Sequence, residues 1–128
     1  MTSHKDENAM NALFVFLGGG VGSVLRYGAG LALPSAAFPW ATLAVNATGS
    51  FLIGLLGAMA SRFGWSEALR LALTVGLCGG FTTFSTFSKE ALALAQNGRW
   101  CAFGAYVAGS VAISLAAVAL GYWAAKQI

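Results

Sequence analysis

The chain has 128 residues, of which 58% are hydrophobic and only 9% charged, with a mean hydropathy of +0.74. So little polar surface cannot cover a water-soluble globule of this size, so the composition excludes a soluble domain and indicates an integral membrane protein. The formal charge of +3 comes from seven basic residues scattered along the chain, with no basic stripe, which argues against nucleic acid as a partner.

Residues 1–9 are expected to form a disordered polar tail, in which His4 has no metal-ligand companion. Four apolar runs follow, at 10–33, 40–60, 69–94 and 101–125. A bilayer core of about 30 Å needs about 20 helical residues, so each run is long enough to span. The short connections (Pro34 to Pro39, Ser61 to Ala68, Ala95 to Trp100) make successive helices antiparallel neighbours within one transmembrane domain over 10–128. Trp40, Trp65, Trp100 and Trp123 fall near the predicted helix ends, where an indole suits the headgroup region.

The first span carries Gly18, Gly22, Arg26 and Gly30 at four-residue spacing. Small residues on one face let backbones approach closely, so the glycines predict a packing seam. Arg26, some two turns inside the span, must snorkel, pair or face water; direct anion contact in a vestibule is the alternative. The second span repeats Asn46, Ser50 and Gly54 on one face, with Thr42 one turn earlier. Asn46 is too deep to reach the headgroups easily, which leaves an anion contact and an interhelical hydrogen bond equally open.

In the third span, Gly79 to Ser88 reads GGFTTFSTFS: two glycines, three phenylalanines and five hydroxyls in an otherwise apolar stretch. Polar groups left unpaired in hydrocarbon cost several kcal/mol, so such a cluster must line a cavity, a neighbouring helix or an ion path. Gly76, Gly79 and Gly80 are expected to break the helix near 76–82, with the hydroxyls bonding the backbone groups so freed. Broken membrane helices mark binding sites because their ends present partial charges and their free carbonyls turn inward. Phe81, Phe84 and Phe87 form an aromatic strip whose ring edges carry partial positive charge.

The fourth span adds Tyr106, Ser110 and Ser114 at i, i+4, i+8, a row of hydroxyl donors. Lys89 and Glu90 are expected near an interface, solvated or lining a mouth. Cys78 and Cys101 have no CxxC spacing and read as small packing residues. Basic residues divide four against three between the two sides, with Lys5, Arg62, Arg70 and Lys126 opposing Arg26, Lys89 and Arg99. So even a split permits insertion either way up, and an antiparallel homodimer would then supply the inverted repeat that transport proteins usually encode in one chain.

The segments GGGVGSVLRY (18–27), PWATLAVNATGSFLIG (39–54) and GLCGGFTTFSTFSKE (76–90) resemble the Fluc (CrcB) fluoride channel family along nearly the whole chain. Ala41 stands where that family often has glycine. The resemblance implies an all-α membrane protein of four transmembrane helices with a broken third helix, assembled as an antiparallel, dual-topology homodimer with two pores. It implies a passive fluoride-selective channel, not an enzyme, that exports fluoride across a bacterial inner membrane. Phe84 and Phe87 would then be the pore's aromatic box and Asn46 a fluoride contact. Ser85 and Thr86 match hydroxyls of the third helix, and Tyr106, Ser110 and Ser114 match the fourth-helix polar row. The backbone carbonyls of Gly79 and Thr82, from both subunits, would hold a central structural sodium ion.

The alternative from another class is a proton-coupled exporter resembling the small multidrug transporters, which are also four-helix dual-topology dimers. Those depend on a membrane-embedded carboxylate, whereas 10–33 contains neither Asp nor Glu and Glu90 is the only acid in any span. An intramembrane hydrolase is disfavoured because His4 is the only histidine.

Overall fold

A computed structural model describes residues 3–33 and 37–128; part of the predicted first connection, 34–36, lies outside them. The elements are α1 (His4–Ala32), α2 (Trp40–Phe63), α3 (Glu67–Leu71), a π-helical stretch (Ala72–Cys78), α4 (Gly79–Phe81), α5 (Phe84–Gln96) and α6 (Trp100–Lys126). No strand occurs among the described residues. Four lengths are long and apolar enough to cross a membrane: His4–Ala32, Trp40–Phe63, Glu67–Gln96 and Trp100–Lys126. The architecture is therefore the four-span, all-α one expected, with each predicted run contained in a helix or ending within a residue of its end.

The expected disordered tail over 1–9 needs correction, because residues 4–9 are the opening turns of α1. Ser3 caps the helix: its hydroxyl accepts from the Asp6 amide, and the Asp6 carboxylate accepts from the Ser3 amide, both at 3.3 Å. Asp6 and Glu7 also sit in the first turn, where negative charge favours the helix dipole. At the far end of α2, Gly64 takes φ 64°, a left-handed conformation that glycine reaches without strain, and Ser66 then caps α3.

Two helix pairs build the molecule. α1 packs against the π-helical stretch and α4, and α2 packs against α6. Both contacts depend on glycine. A β-carbon at Gly18 or Gly22 would collide with the carbonyls of Ala72 and Leu77, and one at Gly54 or Gly121 would collide with the backbone of the opposing helix. The predicted seam on α1 is thus real at Gly18 and Gly22 but ends before Gly30, which faces open space.

The break falls at the end of the expected stretch, but its cause needs correction. Gly76, Gly79 and Gly80 all stay helical, and Gly76 and Gly80 instead bring this backbone against α1 around Val15 and Gly19. The chain leaves helical geometry at Thr82 (φ −86°, ψ 158°) and Thr83 (φ −151°, ψ 116°). Extended torsions suit β-branched threonine, and its hydroxyl can bond the helix ends that the break exposes.

Candidate functional site

Breaking a helix inside a membrane orphans backbone groups, and their partners here can be accounted for in turn. The Thr83 amide donates to Asn46 Oδ1 at 2.8 Å, and Asn46 Nδ2 donates to the Thr83 carbonyl at 3.2 Å. The Thr86 amide donates to Thr83 Oγ1 at 3.2 Å, which makes Thr83 the N-cap of α5. Arg26 Nε donates to the Gly80 carbonyl at 3.1 Å. Thr82 Oγ1 closes the end of α4 by donating to the Cys78 carbonyl at 2.9 Å. Of the two roles open to Asn46, the interhelical hydrogen bond is made, through both ends of one amide. Arg26 pairs with backbone.

This pattern leaves particular carbonyls without their helical donors. In a continuous helix the amides of Thr83 and Thr86 would bond the carbonyls of Gly79 and Thr82. Both amides are diverted, to Asn46 and to the Thr83 hydroxyl. Gly79 and Thr82 therefore keep carbonyl lone pairs for another partner, and an oxygen-only donor set suits a hard cation such as sodium.

Two grooves flank the break, and Thr83 borders both. The first, of about 340 Å³, is lined by Asn46, Thr82, Phe84, Phe87, Ser110 and Ser114 among others. The rings of Phe84 and Phe87 lie 5.7 Å apart, with Phe84 79% exposed toward the open side. Thr83 and Phe84, at the start of α5 and hence at its positive dipole end, both line this groove.

Tyr106 departs from the expected row. It is fully buried, behind Phe87 (centroids 5.0 Å apart) and Phe38 (5.4 Å, edge on), so Ser110 and Ser114 line the groove while Tyr106 lies one turn behind. Its hydroxyl and that of Ser110 are both buried and have no hydrogen-bond partner among the described residues. An unsatisfied buried hydroxyl costs about 1–3 kcal/mol, so two of them one helical turn apart require an explanation.

The second groove, of about 280 Å³, gathers Arg26, Tyr27, Thr42 and Thr86. Thr86 is thus separated from Ser85, which is exposed and borders neither groove. Thr42 donates to Glu90 Oε1 at 2.5 Å, so Glu90 is turned onto the bundle and not simply solvated. The capping hydroxyl of Thr83 is as expected, whereas the pairing of its backbone with Asn46 and the Thr42–Glu90 bond are not. The available signal was spacing: Thr42 precedes Asn46 by four residues on α2, and Glu90 follows Thr86 by four on α5, so the two pairs share facing sides.

Residues 13–122 match the family described as CrcB-like protein, Camphor Resistance (CrcB). A protein of Rhizobium etli named fluoride-specific ion channel FluC is 51% identical over 116 residues, covering 88% of this chain and 93% of the relative. One from Phocaeicola vulgatus, with the same name, is 48% identical over 114 residues, covering 87% and 94%. A third, from Novosphingobium aromaticivorans and likewise so named, is 48% identical over 113 residues, covering 84% and 90%.

Proposed function

The chain belongs to the CrcB-like family, and on that premise we propose that it is a passive fluoride channel, a multi-pass protein of the plasma membrane, whose path runs along the groove at the third-span break. The observation that carries the path is the buried, unpartnered Ser110 hydroxyl that lines the groove beside the Phe84–Phe87 rings, with the Tyr106 hydroxyl one turn behind it. Fluoride is a small, strong hydrogen-bond acceptor, and donors left without a protein partner are what it would meet on losing water.

In this reading, fluoride reaches the break from either side and exchanges water for contacts in stages. The edges of Phe84 and Phe87 offer weak positive potential, and the N-terminus of α5 adds its dipole. The hydroxyls of Ser110 and Tyr106 donate next. Asn46, which lines the groove, has a second Nδ2 hydrogen beyond the one held by Thr83. No single site carries a full opposing charge in contact with the ion, so exit stays fast. Chloride, larger and a weaker acceptor, gains less from the same donors.

Assembly as an antiparallel pair is part of the proposal. Phe84 is largely exposed near the middle of the span, and an open polar groove at that depth needs cover. The carbonyls of Gly79 and Thr82 give a cation only two ligands, whereas a second copy across a twofold axis doubles them. A sodium ion there would neutralise carbonyl dipoles at the meeting of two breaks and fix the assembly. Ser85 is the expected residue with least support, since it borders neither groove and, unlike Tyr106, is exposed and not packed against the Phe87 ring.

Purified protein in liposomes, read with a fluoride electrode, tests the assignment. Rapid fluoride efflux with no chloride efflux is expected. Absence of fluoride efflux, or equal passage of chloride, would contradict it.

A further inference from the structure

Beyond the polar part of the first groove, the furrow between α2 and α6 continues to the end of both helices. Ile53 borders both stretches. The second stretch encloses about 770 Å³ over a floor of small and apolar side chains, including Gly57, Val118 and Ala119, and ends at Arg62 and Lys126. We propose that this stretch is a binding site for one acyl chain of an anionic phospholipid, with its phosphate held between Arg62 and Lys126.

Length supports an acyl chain. Ile53 and Arg62 are nine positions apart on α2, about 14 Å of helix, and Leu115 and Lys126 are eleven apart on α6, about 17 Å. Half the hydrocarbon core of a bilayer is about 15 Å. A chain whose headgroup sits at the cations therefore reaches the level of Ile53, where the polar groove begins. A free anion has no use for the apolar floor.

Charge supports an anionic headgroup. Arg62 spends Nη1 on the carbonyls of Ala125 and Lys126, both at 3.0 Å, which anchors the guanidinium at the groove's end. Lys126 Nζ lies 4.6 Å from the Tyr122 ring centroid at the same rim. Neither cation forms an ion pair among the described residues. A phosphate would complete both, as basic residues at the membrane surface do with acidic lipids.

The test uses the full-length protein purified from vesicles of mixed phosphatidylglycerol and phosphatidylcholine, with retained lipid counted by native mass spectrometry. Wild type should keep phosphatidylglycerol in preference to phosphatidylcholine. Lys126→Gln should lower that preference about fivefold, the contribution of one basic residue near an anionic surface. Gly57→Leu places bulk where a β-carbon meets nothing within 4 Å, so it should fold and lose retention of both lipids. Equal retention of both headgroups by wild type, or no effect of either variant on lipid, would overturn the proposal. So would a change of oligomeric state in Gly57→Leu with lipid unaltered, since the furrow would then belong to a second copy.

Discussion

Asn46 holds Thr83 by both of its backbone polar groups, accepting from the amide at 2.8 Å and donating to the carbonyl at 3.2 Å. One side chain thus replaces the amide's lost helical bond to the Gly79 carbonyl and adds a donor to the carbonyl that starts α5. Asn46→Leu, similar in size but unable to bond, should lower stability by about 1–3 kcal/mol, because the Thr83 amide loses its only partner. Thermal unfolding in detergent measures this. A melting midpoint equal to that of wild type would mean that the break is held by other contacts.

Tyr106 offers a separation of structure from conduction. Its hydroxyl has no partner among the described residues, so Tyr106→Phe removes an unsatisfied group and should leave the melting midpoint unchanged or raised. Fluoride efflux should nevertheless fall by roughly 10- to 100-fold, the loss of one hydrogen bond to a charged species at about 1.5–3 kcal/mol. Ser110→Ala should behave alike. Full efflux in both variants would remove the hydroxyl row from the path.

The glycine seam predicts opposite outcomes for two substitutions on one helix. Gly22→Ala drives a methyl into the Leu77 carbonyl and should cost about 1–3 kcal/mol. Gly30→Ala meets open space and should be neutral, or stabilising by up to about 1 kcal/mol through helix propensity. Denaturation of the two variants side by side decides the matter, and equal effects would place the α1 contact elsewhere.

Sodium should act through binding to the folded state. Exchanging sodium for N-methylglucamine, too large for a carbonyl site, should lower the unfolding midpoint; at a hundred times the dissociation constant the lost stabilisation is about 3 kcal/mol. An identical midpoint in both salts would argue against the Gly79 and Thr82 carbonyls as cation ligands.

The four spans were legible because apolar length alone decides whether a helix crosses a bilayer, and the third span stood out because hydroxyls are costly in hydrocarbon. What did not follow from sequence was the division of labour within that span. Gly76 and Gly80 looked like helix breakers, yet a glycine's conformational penalty is offset when its missing side chain admits another helix, and only the position of α1 reveals this. Tyr106 looked like a lining residue from its spacing with Ser110, but Phe38 and Phe87, from two other elements, cover it. The polarity of the first residues predicts disorder, although Ser3 and Asp6 carry the capping pattern that starts a helix. Each miss concerns a neighbour that is distant in sequence, or a local cap outweighed by composition.

The central claim is that the rings and hydroxyls beside the Thr82–Thr83 break line the path of fluoride. Phe84→Ile tests it most directly, because the ring is largely free of contacts within its own chain, so its loss should leave the fold of each copy intact. The account predicts that liposomes carrying Phe84→Ile, matched to wild type in protein content and assembly, release fluoride at least tenfold more slowly, while Cys101→Ala releases it at the wild-type rate. Wild-type efflux from Phe84→Ile would contradict it.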